Sequence, residues 1–123
     1  MSIREAAKAI LARRQSLARA VVARQYDCQP KLRHRYGEGC IAKCVQDTEY
    51  HLAYLASALM FSGPALFGDF IGWVKTTLTI AKIRLEDVER HLVCMWDVLR
   101  EQLPQKMSIE VRPYVERRGA TRR

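Results

Sequence analysis

A chain of 123 residues is long enough for one domain with one apolar core, and 49% hydrophobic with 28% charged residues is typical of a globular protein. This length leaves no room for a second catalytic domain. No apolar run reaches the ~18–20 residues of a membrane-spanning helix, because Ser62-Gly63-Pro64 and Asp69 interrupt the longest candidate, residues 51–73.

The net charge of +8 is concentrated at the two ends of the chain. Residues 1–35 carry nine Lys or Arg against two acids, residues 36–111 carry seven against ten, and residues 112–123 carry five against one. The N-terminal residues mix charges with apolar residues, unlike a secretory signal. We therefore expect a cytoplasmic protein, in which Cys28, Cys40, Cys44 and Cys94 stay reduced.

The first predicted element is one long amphipathic helix over Ile3–Tyr26, a segment without Gly or Pro. Its apolar residues recur at three- and four-residue steps that form an apolar stripe, and we expect this long helix to pair with a second copy of the chain. Pro30 and the Gly37-Glu38-Gly39 segment break the helical pattern twice. Residues 31–36 between these breaks are predicted to form one short turn.

The second long helix is predicted over Cys40–Phe61 and is expected to be the most buried. Ser62-Gly63-Pro64 ends it, and Pro64 is typical of the start of the next helix, which continues to about Ala81. The β-branched run over residues 76–80 resembles a strand, but no other segment offers a partner strand. We therefore predict a helix there.

A fourth helix is predicted over Leu85–Leu103, before Pro104, and a short one over Met107–Val115. Residues 119–123 form a basic tail that we expect to be disordered. Residues 1–118 are thus predicted to be one all-α domain, either globin-like or a bundle of four to five helices.

Asp47 and His51 are the most informative polar pair, because residues four apart on a helix lie on the same face. The carboxylate is expected to favour the charged imidazole and to allow a pH-sensitive or ligand-binding contact. The alternative is a buried structural histidine that is hydrogen-bonded to Asp47 or Tyr54.

Cys40, Cys44, Asp47 and His51 have side chains that can bind zinc, but they extend along ~16 Å of one helix. Four such ligands are too far apart to complete a tetrahedron, and no Cys-x-x-Cys motif is present. We therefore predict no metal site. No nucleophile elbow, phosphate-binding glycine loop or pair of catalytic carboxylates is found, and we expect no enzymatic activity.

One set of residues resembles a known family: Pro30, Tyr36-Gly37, Cys44, Asp47, Tyr50-His51-Leu52, Tyr54-Leu55, Ala58-Leu59, Pro64-Ala65-Leu66-Phe67, Asp69-Phe70, Trp73 and Lys75. This pattern resembles the helical domain that precedes cobalamin-binding and other signalling modules in bacterial regulators. It is also distantly similar to non-haem globin sensor domains of the stressosome RsbR type. The resemblance covers residues 1–118 and implies a bacterial, dimeric, globin-like input domain without catalysis of its own.

From the resemblance and the residues together, we predict a regulatory module that acts through dimerisation and docking to a signalling protein. Its central cleft, lined by Asp47, His51, Tyr54, Phe70 and Trp73, is expected to sense a small apolar ligand or to contact the partner. We predict no cofactor. The alternative is a haem or other tetrapyrrole sensor with His51 or His91 as axial ligand.

The basic ends give a second alternative, a regulator that binds nucleic acid through its phosphates. This surface comprises Arg13, Arg14, Arg19, Arg24, Arg33, Arg35, Arg117 and Arg118. The chain has no recognition-helix pattern and no aromatic residues spaced for base stacking. A solvated face, or one that meets an acidic protein, is the simpler interpretation.

Overall fold

The computed structural model describes the backbone of residues 2–120 and the side chains of residues 3–61 and 63–115. These residues form seven α-helices, and a π-helical turn over Ala58–Ser62 continues the fourth. The helices are α1 (Ser2–Ala12), α2 (Arg14–Cys28), α3 (Leu32–Tyr36), α4 (Cys40–Ser57), α5 (Pro64–Ile80), α6 (Leu85–Gln102) and α7 (Gln105–Ala120).

The all-α prediction is confirmed, since residues 2–120 contain no strand. The described helices outnumber the predicted four to five, because α3 is a helix of its own and the first predicted helix is divided. The β-branched run at residues 76–80 lies in α5, as predicted. Helix α7 includes Gly119 and Ala120 of the predicted tail, and the rest of the tail, residues 121–123, lies outside the described residues.

The single helix predicted over Ile3–Tyr26 is wrong, because the chain bends at Arg13. The bend contains neither Gly nor Pro. The interruption coincides with a change of neighbours, because α1 packs against α4 and α7, whereas α2 packs against α4 and α6. The Arg13 guanidinium holds the bend by donating to the Gln102 backbone oxygen at 2.9 Å and to its Oε1 at 2.8 Å.

The apolar core lies between α1, α2, α4 and the later helices. Burying each large aliphatic or aromatic side chain contributes about 1.5–3 kcal/mol to stability. The largest fully buried apolar side chains are Phe67, Ile10, Leu17, Leu52, Leu55, Ile71, Met95, Leu99, Val21, Val98 and Val111. A smaller apolar cluster of Val22, Tyr26 and Leu32 lies where α2 and α3 meet.

The turn between α4 and α5 depends on Gly63. Its φ of 92° lies in a region that favours glycine, and its backbone N–H donates to the Ala58 oxygen at 2.9 Å. This bond closes the π-helical turn, after which Pro64 begins α5, as the sequence predicts. The turn leaves Phe61 79% exposed beside the start of α5.

Asp87 is a buried carboxylate that joins three helices, and it is only 3% exposed. It accepts hydrogen bonds from Gln29 Nε2 at 2.9 Å, Arg35 Nη1 at 2.7 Å and the Tyr36 hydroxyl at 2.6 Å. Burial alone raises the pKa of this carboxyl, but the three donors outweigh burial, and the net pKa lies below its usual value. The end of α2, helix α3 and the first turn of α6 are thereby held together.

We expect Asp87→Ala to lower the free energy of unfolding by about 2–4 kcal/mol, because three donors lose their shared acceptor. Urea unfolding followed by circular dichroism measures this loss. Glu86→Ala is the matched control, since Glu86 is exposed and its side chain pairs with the near neighbour Arg84. Equal losses in the two variants would contradict the role of Asp87.

Candidate functional site

Four of the five residues predicted to line a cleft lie together, on facing parts of α4 and α5. The Tyr54 and Phe70 rings stack with centroids 3.9 Å apart and planes at 6°. The Trp73 ring lies 6.1 Å from Phe70, and His51 meets Phe70 edge-on at 5.9 Å. These four residues are the aromatic cluster. The fifth predicted residue, Asp47, instead forms an ion pair with Lys43 Nζ at 3.4 Å.

The space between His51 and Trp73 is filled by the Phe70 ring, so the geometry of the aromatic cluster does not favour a ligand cleft there. Two open grooves lie elsewhere. One, of about 550 Å³, is lined by Trp96, Arg100, Gln105, Ser108, Ile109 and Arg112. The other, of about 270 Å³, is lined by Arg19, Val22, Ala23, Tyr26, Arg33, Ile41 and Val45.

His51 is a buried neutral histidine, contrary to the expectation that Asp47 would charge it. Burial lowers the pKa of His51 to about 4, and the nearby Asp47 carboxylate opposes this shift without cancelling it. The imidazole is 7% exposed, and its Nδ1 has no hydrogen-bond partner within the described part of the chain. The predicted hydrogen bond to Asp47 or Tyr54 at this nitrogen is therefore absent.

His91 lies beside His51, with ring centroids 5.6 Å apart. The residue keeps some exposed surface, although both ring nitrogens face polar groups of the bundle. Its Nδ1 is 3.2 Å from Gln25 Oε1, and its Nε2 is 3.4 Å from Thr48 Oγ1, whose hydroxyl donates to the Cys44 oxygen. Gln25 Oε1 is an acceptor, and Thr48 Oγ1 has already used its proton, so each of these oxygens accepts from whichever ring nitrogen carries the proton. Burial, together with His51, lowers the pKa of His91 to about 3.

The geometry does not favour the tetrapyrrole alternative. An axial histidine needs an open side on which the macrocycle can lie. The Phe70 and His91 rings flank His51, and both nitrogens of His91 already face Gln25 and Thr48. Neither open groove is lined by either histidine. Nor does any set of three or more His, Cys, Asp or Glu residues within the described ranges have a metal-binding arrangement.

Most arginines of the predicted basic surface have partners within the protein. Four of them form ion pairs with acidic side chains: Arg24 with Glu101 at 2.9 Å, Arg14 with Glu49 at 3.7 Å, Arg33 with Glu38 at 3.4 Å and Arg35 with Asp87 at 2.7 Å. A fifth, Arg13, donates a hydrogen bond to Gln102. Arg19 lines the smaller groove. The side chains of Arg117 and Arg118 lie outside the described residues. These ion pairs weaken the case for a continuous phosphate-binding face.

The sequence interpretation missed a second apolar face on α5. The first apolar face of α5 points into the core and consists of Phe67, Ile71, Val74 and Leu78, the first three of which are buried. The second face, which we call the outer stripe, consists of Leu66, Phe70, Trp73, Thr77 and Ile80. Leu66, Trp73 and Ile80 are 42%, 62% and 75% exposed. The available signal was that Asp69 and Lys75 are the only charged residues among the seventeen of α5.

The described helices include none that is both long and apolar enough to span a membrane. Comparisons with protein-family models, with curated proteins and with solved structures find no match for this chain. The resemblance to bacterial helical sensor domains therefore stays a prediction.

We expect the free energy of unfolding to fall as the pH is lowered from about 6.5 to about 4. The unfolded chain protonates its histidines near pH 6.5, whereas the folded pKa values of His51 and His91 are about 4 and about 3, so the unfolded state binds more protons in this window. Each histidine contributes up to about 1.4 kcal/mol per pH unit to the slope of the free energy of unfolding against pH.

Urea unfolding at a series of pH values measures this slope. We expect His51→Leu to reduce it, because the variant lacks one of the two buried titrating rings. His34→Gln is the matched control, since His34 is exposed on α3. An unchanged slope in His51→Leu would contradict the assignment of the pH dependence to the buried pair.

Proposed function

We propose that this protein is a non-catalytic helical docking module that forms a homodimer through the outer stripe of α5. The observation that carries this proposal is the spacing of the stripe. Leu66, Phe70, Trp73, Thr77 and Ile80 follow alternating steps of four and three residues, the spacing by which one helix packs along another. A helix with apolar residues on two faces is stable in water when both faces pack against other protein surfaces.

The stripe suits pairing with a second copy of itself. Trp73 lies at the midpoint between Leu66 and Ile80. A two-fold axis through Trp73 would place two α5 helices antiparallel, with Leu66 of each copy against Ile80 of the other. Such a contact uses the same surface on both subunits and closes as a dimer.

The charges near the outer stripe also favour its pairing with a second copy of the chain. The chain carries a net charge of +8, which opposes self-association in general. On α5 the only charged residues are Asp69 and Lys75, and Lys75 Nζ lies 3.5 Å from Glu89 on α6. Two outer stripes therefore meet without facing rows of like charge.

Aromatic residues of α4 widen the surface. Tyr54 is 38% exposed and stacks on Phe70, and Tyr50, one helical turn earlier, is 65% exposed. Phe61 adds a further exposed ring at the π-helical turn. Contiguous apolar surface of this kind marks interaction sites, and a stable dimer buries about 800 Å² on each subunit. Tyr and Trp are also the residues that contribute most at interfaces.

The regulatory role that we propose follows from dimerisation. The aromatic cluster connects the outer stripe to buried His51, so a change in the packing between α4 and α5 would alter the surface offered to the second copy. A signalling partner would act by competing for this surface or by recognising the dimer. The histidine pair then serves packing rather than ligand binding.

We expect the unmodified protein to be a dimer and Trp73→Asp to weaken dimerisation more than about tenfold, a change of about 1.4 kcal/mol, because two carboxylates would be buried at the two-fold axis. Sedimentation equilibrium over a range of protein concentrations measures this. Ile109→Asp is the matched control, since Ile109 is 58% exposed on α7 and lines the groove between α6 and α7. A monomer at all concentrations would contradict the proposal.

The fluorescence of Trp73 provides an independent measurement. Trp96→Phe leaves Trp73 as the only tryptophan, and Trp96 Nε1 has no hydrogen-bond partner among the described groups that the change would disrupt. We expect Trp73 emission to move to shorter wavelength, and its quenching by acrylamide to decrease, as the protein concentration rises. Association without either change would place the interface on another surface.

A further inference from the structure

Cys40 and Cys44 lie one above the other at the start of α4, and their sulfur atoms are 3.7 Å apart. Both residues are partly exposed. The Tyr26 hydroxyl lies within hydrogen-bonding reach of both thiols. The other two cysteines differ from this pair, since Cys28 is an exposed single thiol and Cys94 is buried in the core.

We propose that Cys40 and Cys44 form a reversible intrahelical disulfide, with hydrogen peroxide as the oxidant. This dithiol site is independent of the outer stripe, which lies on another helix. The sulfurs already touch, so closure requires local movement only.

The backbone of α4 allows the bond to form. Cα atoms four residues apart in an α-helix are separated by about 6 Å, within the range that disulfides span. Cβ atoms at this spacing are about 5–6 Å apart, whereas a disulfide requires about 4 Å, so the first turn of the helix must tighten by about 1–2 Å.

The segment before Cys40 can absorb this movement. Gly37 and Gly39 lie directly before the helix, and Gly37 has a φ of 85°, which favours glycine. The first backbone hydrogen bonds are long, at 3.3 Å from Cys40 to Gly37 and 3.2 Å from Ile41 to Glu38. Weak bonds and two glycines make this turn the part of α4 that rearranges at least cost.

In the proposed reaction, Cys40 is oxidised first and Cys44 resolves the product. Burial, followed by the neighbouring Cys40, raises the pKa of the Cys44 thiol to about 12, which leaves Cys44 in the thiol form. The Cys40 thiolate attacks one peroxide oxygen. A sulfur–oxygen bond forms, the oxygen–oxygen bond breaks, and the leaving hydroxide takes up a proton as water.

Cys44 then resolves the sulfenic acid formed on Cys40. Its sulfur attacks the Cys40 sulfur, the sulfur–oxygen bond breaks, and the leaving hydroxide takes the Cys44 proton as a second water. Two thiols and one peroxide thus give one disulfide and two waters. A thiol reductant reverses the bond by disulfide exchange.

Lys43 makes the test direct, because trypsin cleaves between the two cysteines. The full-length protein is treated with hydrogen peroxide, its free thiols are alkylated with iodoacetamide, and it is digested without reductant. We expect mass spectrometry to find residues 36–43 linked to residues 44–75, and reductant to separate them. Cys28 in the same molecule is the internal reference for an exposed thiol.

Cys44→Ser is the matched variant. We expect the linked peptides to be lost and Cys40 to accumulate sulfinic acid, because its sulfenic acid has no thiol to resolve it. The proposal is overturned if Cys40 and Cys44 remain fully alkylated under conditions that oxidise Cys28, or if either is found linked to Cys28 instead of to the other.

Discussion

A series of buried and partly buried polar contacts around Asp87 sets the relative positions of α2, α3, α4 and α6. The Asp87 backbone oxygen accepts from Gln25 Nε2 at 2.9 Å, and Gln25 Oε1 faces His91 Nδ1. His91 in turn faces Thr48, whose hydroxyl donates to the Cys44 backbone oxygen at 2.6 Å. Buried polar groups are costly when unpaired, so this network favours one arrangement of these helices over others of similar apolar burial.

The same network separates two surfaces with different chemistry. On one side of α4, the first turn carries the dithiol of Cys40 and Cys44 next to Tyr26. On the other, the end of α4 and the outer stripe of α5 present aromatic and aliphatic side chains to the exterior. His51 lies between them, buried and neutral, and its ring contacts both His91 of α6 and Phe70 of α5. The polar interior thus lies between the proposed docking face and the proposed dithiol site.

The sequence predicted which residues of the candidate site are neighbours, but not how their side chains interact. Helical spacing correctly placed His51 and Tyr54 on α4, and Phe70 and Trp73 on α5, as neighbours, because a short turn between two amphipathic helices brings their apolar faces together. Spacing alone could not show that Phe70 would fill the space between them. The pKa of His51 is lowered by burial and raised by the charge of Asp47. The extent of burial depends on the side chains that other helices pack around the ring.

The sequence by itself determined the helical class, the stops at Pro30 and Gly63-Pro64, and the helical state of the β-branched run in α5, since these depend on local backbone preferences and on apolar periodicity. Tertiary structure decided the bend at Arg13, the neutral state of His51 and the role of Asp87 as an acceptor shared by three donors. It also decided which of two apolar faces of α5 became core. Each of these outcomes depends on contacts between residues far apart in the chain, and no local pattern carries that information.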